Sequence, residues 1–510
     1  MSTPALSGPN RFFGGTPDRS AGRSVLSAPR AAAALWWLAA KRNGGLFLLP
    51  VIAAAMWWLV RDSHQYQAVV LWMPTVQGVG NSLVVAGPLV AALASWIAGR
   101  SRRRGMTDLL ATAPLPGGWA VVAEWLGIVA WVLLAYLGSA GVALLWTATE
   151  VTWGGPVLWP IIVAAVALAV CAAGGLFLGN VWPNRFLPPL LAIAVAALIV
   201  APIGVRQLDR VKMLSPMGPI DSAVREPLVQ VDDRVVLPHL LWLTALGLTL
   251  LLALVAWRSG RWLPRVLLMA SVLAAVFAAN PLVGYETGSD DVRAFEPIPY
   301  EPQCATDVVT VCVHPAYERR HGEVVTAINA IAQPLADIDR VTMRFEQSVG
   351  WDSPPSDVVS FYLYGDEMLD GSLAHQVPMQ IVADWPAMAA HQGPAAGGLT
   401  AAQAIVAAWL TREYELRTGI ETPLSFTDMS MNESASIVPL SMVVEGLPFL
   451  SCHQEAAQTQ GCEFDAVAGR EVQARVDAAT ERFLAMDSAT RRAWLNANWT
   501  DLRAGQVALE

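Results

Sequence analysis

The feature that most constrains this chain is a series of seven long apolar runs in its first 284 residues, separated by loops that alternate in arginine content. The runs are Gly44–Val60, Val79–Ala98, Ala120–Ala148, Val157–Gly179, Phe186–Val205, Leu237–Trp257 and Val266–Val283. A helix needs about 20 apolar residues to cross the hydrocarbon core of a bilayer, and about 17 suffice. Each run therefore reads as a transmembrane helix, with the long third one tilted to fit. Pro50, Pro88 and Pro202 lie in or near span ends, where membrane helices tolerate proline.

The loop charges give the spans a direction. Arg11, Arg19, Arg23, Arg30, Lys41 and Arg42 precede the first run, and Arg100, Arg102, Arg103 and Arg104 lie between the second and third. Arg185 follows the fourth run, and Arg258, Arg261 and Arg265 cluster around the connection from the sixth to the seventh. The alternate loops 61–78 and 149–156 together hold one basic residue, Arg61. Loop 206–236 departs from the pattern with five basic and five acidic residues. Positive charge is retained on the cytoplasmic side, so the N-terminus is expected in the cytoplasm. Seven crossings then place residues 285 onward outside the cell membrane.

Cysteine placement points the same way. Cys171 lies in an apolar run, where a thiol is a small apolar filler. Cys304, Cys312, Cys452 and Cys462 all lie beyond residue 285 and form two close pairs, which suits disulfides in an oxidising compartment. Local pairing, 304 with 312 and 452 with 462, is the simplest of three connectivities.

Charge divides the chain in two. Residues 1–284 carry 20 Lys and Arg against 10 Asp and Glu, and residues 285–510 carry 13 against 32. A basic apolar half joined to an acidic polar half implies two solvents. The acidic half excludes nucleic acid as its partner, because phosphate binding needs a basic patch. The basic half suits loops facing anionic lipid. Only Lys41 and Lys212 are lysines, an arginine preference that fits the GC-rich coding bias of actinobacteria-like bacteria. Residues 1–30 have no continuous apolar segment and read as a disordered cytoplasmic tail rather than a signal peptide. Ala31–Ala40 is too short to span, so residues 31–43 are expected to form an interfacial helix with Trp36 and Trp37 at headgroup depth.

The connection between the second and third runs is the main pointer to function. It runs from Gly99 through Arg100, Arg102, Arg103 and Arg104, then Gly105, Thr107, Asp108, Leu109, Leu110 and Ala113 to Pro114. Thr107 can cap a short helix, Asp108 is favourable near its positive end, and Pro114 stops it. An interfacial helix, two spans, an arginine-rich turn with Arg104-Gly105, Asp108-Leu109-Leu110 and Pro114, and four further spans resemble the permease subunits of ABC-2-type transporters over about residues 27–257. That resemblance implies that Arg104, Gly105, Thr107, Asp108, Leu109, Leu110 and Pro114 form the coupling helix that docks on a cytoplasmic ABC ATPase subunit. It also implies a homodimer, or a heterodimer with another permease. The chain has no GxxxxGK[ST] phosphate loop, so ATP and Mg would be held by the partner ATPase and no cofactor by this chain. Two features depart from the family pattern: the seventh span and the large C-terminal domain. Among ionisable residues of the spans, Glu124 is expected at the cytoplasmic interface and His239 in water at the outer face. The Gly175–Gly179 spacing would permit a close helix approach.

The expected fold is thus an α-helical polytopic membrane bundle of about seven transmembrane helices (44–284), a tether (285–303) and a mixed α/β extracytoplasmic domain (304–510). Within that domain, strands are expected over Val308–Val313, Arg340–Phe345 and Val358–Tyr364. Helices are expected over Tyr317–Ile331, Thr400–Leu416, Gly469–Leu484 and Ser488–Asn498. No HExxH or GxSxG motif occurs, and His314 and His321 are separated by the helix-breaking Pro315, so no catalytic or metal set emerges. The competing reading is a membrane-anchored receptor whose outer domain binds a ligand.

Overall fold

The computed structural model describes residues 48–64, 69–100, 117–219, 228–231, 233–259, 262–283, 295–338, 343–348, 358–361, 363, 368–383, 400–420 and 478–507. The N-terminal part is a helical bundle of α1 (Leu48–His64), α2 (Trp72–Asn81), α3 (Leu83–Ala98), α4 (Gly117–Glu150), α5 (Trp159–Val181), α6 (Leu187–Gly204), α7 (Asp233–Ser259) and α8 (Trp262–Ala279). Among the described residues, five stretches are long and apolar enough to cross a membrane: Trp72–Ala98, Ala120–Glu150, Trp159–Val181, Arg234–Arg258 and Trp262–Leu282. Helix α1 has 17 residues, and the apolar stretch Leu187–Pro202 of α6 is also shorter.

Helices α3 and α5 form the centre of the bundle, with Leu83, Val90, Ala94, Ala164, Leu168 and Leu176 fully enclosed. Helix α8 lies at the edge, and its Phe277 is 83% exposed, an apolar face suited to lipid. The second expected span starts seven residues early, because helix begins at Trp72 rather than Val79. The added turns hold Thr75, Gln77, Gly78 and Gly80, a polar and glycine-bearing stretch that reads as loop by composition. Burial against α1 overrides that composition: a Cβ on Gly78 would lie 2.6 Å from Val60 Cα, so only glycine admits this approach. His239 is also corrected. It is fully buried, and Nδ1 meets the Met213 carbonyl at 2.8 Å, because the turn Arg206–Leu214 folds over the start of α7.

The C-terminal part is built on a four-stranded sheet of β3 (Gln303–Thr306), β4 (Thr310–Val313), β5 (Arg344–Gln347) and β6 (Val358–Phe361), in that spatial order. Strands β3 and β4 are antiparallel, and β4, β5 and β6 are parallel. Helix α9 (His321–Ala332) supplies the crossover from β4 to β5 that parallel neighbours require. Helices α10 (Met368–Val382), α11 (Ala401–Thr418) and α12 (Ser488–Arg503) complete this part, preceded by helical residues 478–485. Val311, Phe345, Phe361, Ile328, Val377, Leu410 and Trp499 fill its core.

A short two-stranded sheet joins the two parts. Strand β1 (Val229–Val231), from the loop before α7, pairs antiparallel with β2 (Phe295–Pro297), and Ile298 N donates to the Leu228 carbonyl at 3.0 Å. Leu71 and Leu228 belong to the core of the C-terminal domain, with Val69 and Trp153 packed against it. The loops that follow α1, α4 and α6 therefore meet the domain on one face of the bundle.

Gln403 fastens the last helices together. Thr400 and Gln403 form a capping box at the start of α11, with Thr400 N donating to Gln403 Oε1 at 2.8 Å. Gln403 Nε2 faces the carbonyls of Val382 at 3.2 Å, Leu502 at 2.9 Å and Arg503 at 3.2 Å, so one amide serves α10, α11 and α12. Gln403→Ala strands these buried groups and is expected to destabilise the domain by about 2–3 kcal/mol. Chemical denaturation of the variant against the parent protein measures the loss, and an unchanged midpoint contradicts it.

Candidate functional site

The end of the bundle away from the C-terminal domain is formed by the last turns of α3, α5 and α7 and the first turns of α4. Helix α3 ends at Ala98, with Gly99 N donating to the Ser95 carbonyl at 3.1 Å, and α4 starts at Gly117. The proposed coupling residues Arg104, Gly105, Thr107, Asp108, Leu109, Leu110 and Pro114 connect these ends and lie outside the described residues.

What holds the two ends is clear in the packing of α3 on α5. A Cβ on Gly175 would lie 2.3 Å from the Ala91 carbonyl oxygen, and one on Gly179 2.5 Å from that of Ser95. The two backbones touch, and only small residues permit such contact. One residue further on, Asn180 receives a hydrogen bond from the Arg258 guanidinium of α7 on its Oδ1, while its Nδ2 donates to the Leu176 carbonyl at 2.8 Å. Arg258 also attracts the Glu124 carboxylate of α4. Asn180 and Arg258 thus link α5 and α7, with Glu124 of α4 in the field of Arg258. Glu124 stands near the start of α4, within the field of Arg258. Asn180 is the member that the sequence conceals, since a single amide at the end of an apolar run has no pattern.

At the opposite end, His64 Nε2 lies 2.8 Å from Thr75 Oγ1, which contacts Thr147 Oγ1 at 2.5 Å. These bonds tie α1, α2 and α4. Tyr136 Oη donates to the Val79 carbonyl at 3.4 Å, one turn deeper. On another face of α2, Gln77 Nε2 and Asn81 Oδ1 are enclosed one turn apart, without hydrogen-bond partners among the described residues.

The seam with the C-terminal domain centres on His314, at the carboxyl end of β4. Its ring packs on Trp153 at 4.3 Å and Tyr300 at 4.2 Å between centroids. Its Nδ1 accepts from Ala316 N at 3.1 Å, and Thr152 Oγ1 donates to the Ala316 carbonyl at 3.0 Å. Burial pushes the His314 pKa down to about 4. Burial, helped by Glu346, raises that of Tyr300. Cys304 and Cys312, opposite each other across β3 and β4, form a disulfide. Cys452 and Cys462 lie outside the described residues. His321 is held apart from His314, with Nε2 3.3 Å from the Gln303 carbonyl. No cluster of three or more metal-ligating side chains occurs among the described residues.

Adjacent glycines separate close packing from helix propensity. Gly175→Ala is expected to lower bundle stability by about 1–3 kcal/mol, because its Cβ meets backbone. Gly174→Ala, with only Leu250 Cδ1 at 3.8 Å, is expected to stay within about 1 kcal/mol of the parent. Thermal melting of the detergent-solubilised variants checks both, and equal melting temperatures contradict the packing account. No protein-family model, curated protein or solved structure matches this chain.

Proposed function

We propose that the chain is the membrane-spanning permease subunit of an ABC-2-type transporter, moving a substrate across the cytoplasmic membrane with a separate ATPase subunit. Residues 104–114 form the coupling helix of this reading, and ATP and Mg belong to the partner. The chain crosses the bilayer seven times, with α1 and α6 as short spans, the N-terminus cytoplasmic and the C-terminal domain outside. A second permease subunit, identical or similar, completes the pathway along the apolar outer faces.

The observation that carries this reading is the direct backbone contact of α3 with α5 at Gly175 and Gly179, next to the arginine-rich connection. A force applied to residues 101–116 is passed to α5 without intervening side chains, and through Asn180 and Arg258 to α7. That is what a coupling element needs. The topology is supported by the loops after α1, α4 and α6, which share a face with the C-terminal domain, while Arg100, Arg185 and Arg258 lie at the other end. The seam at Trp153 and His314 favours a second reading, a receptor whose outer domain signals through the bundle.

Purification of the tagged chain from its native membrane separates the two. A transporter subunit brings an ABC ATPase with it. Replacement of Asp108 and Leu109 by alanine is then expected to lower the associated ATP hydrolysis about tenfold, equivalent to roughly 1.4 kcal/mol of docking contact. Absence of any ATPase, or hydrolysis indifferent to both changes, removes the transporter reading and leaves the receptor. Single-cysteine labelling at positions 102 and 290 tests the topology: only 290 is expected to react from outside.

A further inference from the structure

We propose that His314 is a proton-operated latch, holding the loop after α4 against the C-terminal domain when neutral and releasing it when protonated. The inference does not depend on what the bundle transports, or on whether it transports at all.

The latch is built from bonds that a proton must break. His314 N donates to Gln347 Oε1 at 3.0 Å, which fixes the residue at the end of β4. Its ring Nδ1 accepts from Ala316 N at 3.1 Å and caps the turn Pro315–Arg320. An accepting Nδ1 carries no hydrogen, so the neutral ring holds its one proton on Nε2. A second proton can go only to Nδ1. There it would point at the Ala316 N–H, and two donors would face each other. The turn must then move. Its Ala316 carbonyl is the acceptor for Thr152 Oγ1 at 3.0 Å, so the bond that anchors the loop moves with it.

The surroundings offer the charged ring no compensation. His314 is 1% exposed, and its Nε2 has no hydrogen-bond partner among the described residues. Trp153 from the loop and Tyr300 from the segment after β2 cover its ring. None of the charged groups on the elements around it is hydrogen-bonded to the ring among the described residues. Glu150 pairs with Arg319 across the seam at 4.0 Å, Arg320 with Glu323 at 3.5 Å, and Arg344 with Glu346 at 3.5 Å. Glu318 on the turn and Glu301 beside Tyr300 complete the set. Burial alone accounts for the lowering from 6.5 to about 4. Loop residues Gly154, at φ +77°, and Gly155 provide the backbone freedom for Trp153 to leave.

The sign follows from linkage. A released His314 takes up its proton near its ordinary 6.5, whereas the latched one resists until about 4. Between these values the released state binds more protons, so the latch weakens as pH falls, by about tenfold per pH unit. Above that window pH has no effect through this group.

Hydrogen exchange of the full-length protein in lipid nanodiscs tests the latch. Protection of the 149–157 amides, corrected for intrinsic exchange, is read between pH 7.5 and 4.5. In the parent protein it is expected to fall about tenfold per pH unit below 6.5. In His314→Asn, whose carbonyl can replace Nδ1 as acceptor but does not titrate, it is expected to stay level. Constant protection in the parent, or an equal fall in the variant, overturns the proposal. A second readout needs no substitution. Histidine NMR of the parent is expected to show His314 staying neutral well below 6.5, and protonation at the ordinary value with the loop still protected overturns it.

Discussion

Three loops of the bundle give up apolar side chains to the core of the C-terminal domain: Leu71 after α1, Trp153 after α4 and Leu228 after α6. Much else about the molecule follows from that shared burial. A loop that buries a leucine in a folded domain stays on that domain's side of the bundle, so the three helices ending in these loops run in the same sense. Strand β2 then enters the domain from the same side, pinned to β1 by its ladder of hydrogen bonds. The alternating direction of the helices is therefore fixed by packing as well as by any bilayer. Outside loop 206–236 it agrees with the distribution of arginine, which follows from a different force, the retention of positive charge on one side of a membrane.

The other end of the bundle is organised by the absence of side chains. Between helices in lipid there is no hydrophobic gain from burying one apolar group against another, so close packing and hydrogen bonds must supply the association. Gly175 and Gly179 bring the α5 backbone onto Ala91 and Ser95, and the link of Asn180 to Arg258, with Glu124 in the field of Arg258, forms where that packing ends. A charged side chain near a span end can reach water and headgroups, and the hydrogen bond of Arg258 to Asn180 limits what burial would otherwise cost.

The apolar runs, their order and the strong secondary-structure signals of the C-terminal domain were legible from residue type. The apolar face of Ala401, Ile405, Ala408 and Trp409 marked α11, and Val358–Phe361 forms a strand where β-branched and aromatic residues cluster. Proximity of Cys304 and Cys312 gave the disulfide that the antiparallel hairpin makes. The misses have a common cause. Residues 72–78 read as loop because Thr75, Gln77 and Gly78 are polar or flexible, yet tertiary burial made them helix. Met368–Val382 contains Asp370, Gly371 and Pro378, and becomes a helix by packing against α11 and β6. His239 and His314 carry no local sign of their surroundings, because the groups that enclose them come from distant segments. Partnership across long separations, as between Asn180 and Arg258, has no periodicity for a reader of sequence to find.

Helix α4 connects the two organised ends. At 34 residues it is roughly 51 Å long, well beyond the ~30 Å hydrocarbon core. It begins beside the arginine-rich connection, carries Glu124 into the field of Arg258, and ends at Glu150, three residues before Trp153. A continuous helix of this length transmits displacement along its axis with little loss, whereas loops absorb it. Any coupling between the start of α4 and the seam at His314 would run along this one continuous helix. Thermodynamic reciprocity makes this two-way: whatever docks on one end must shift the balance at the other by the same free energy that the reverse coupling carries. A latch that opens on protonation would then act on the far end without any ligand crossing the membrane. Only one rod, already tied to α2 by the contact of Thr147 with Thr75, needs to move.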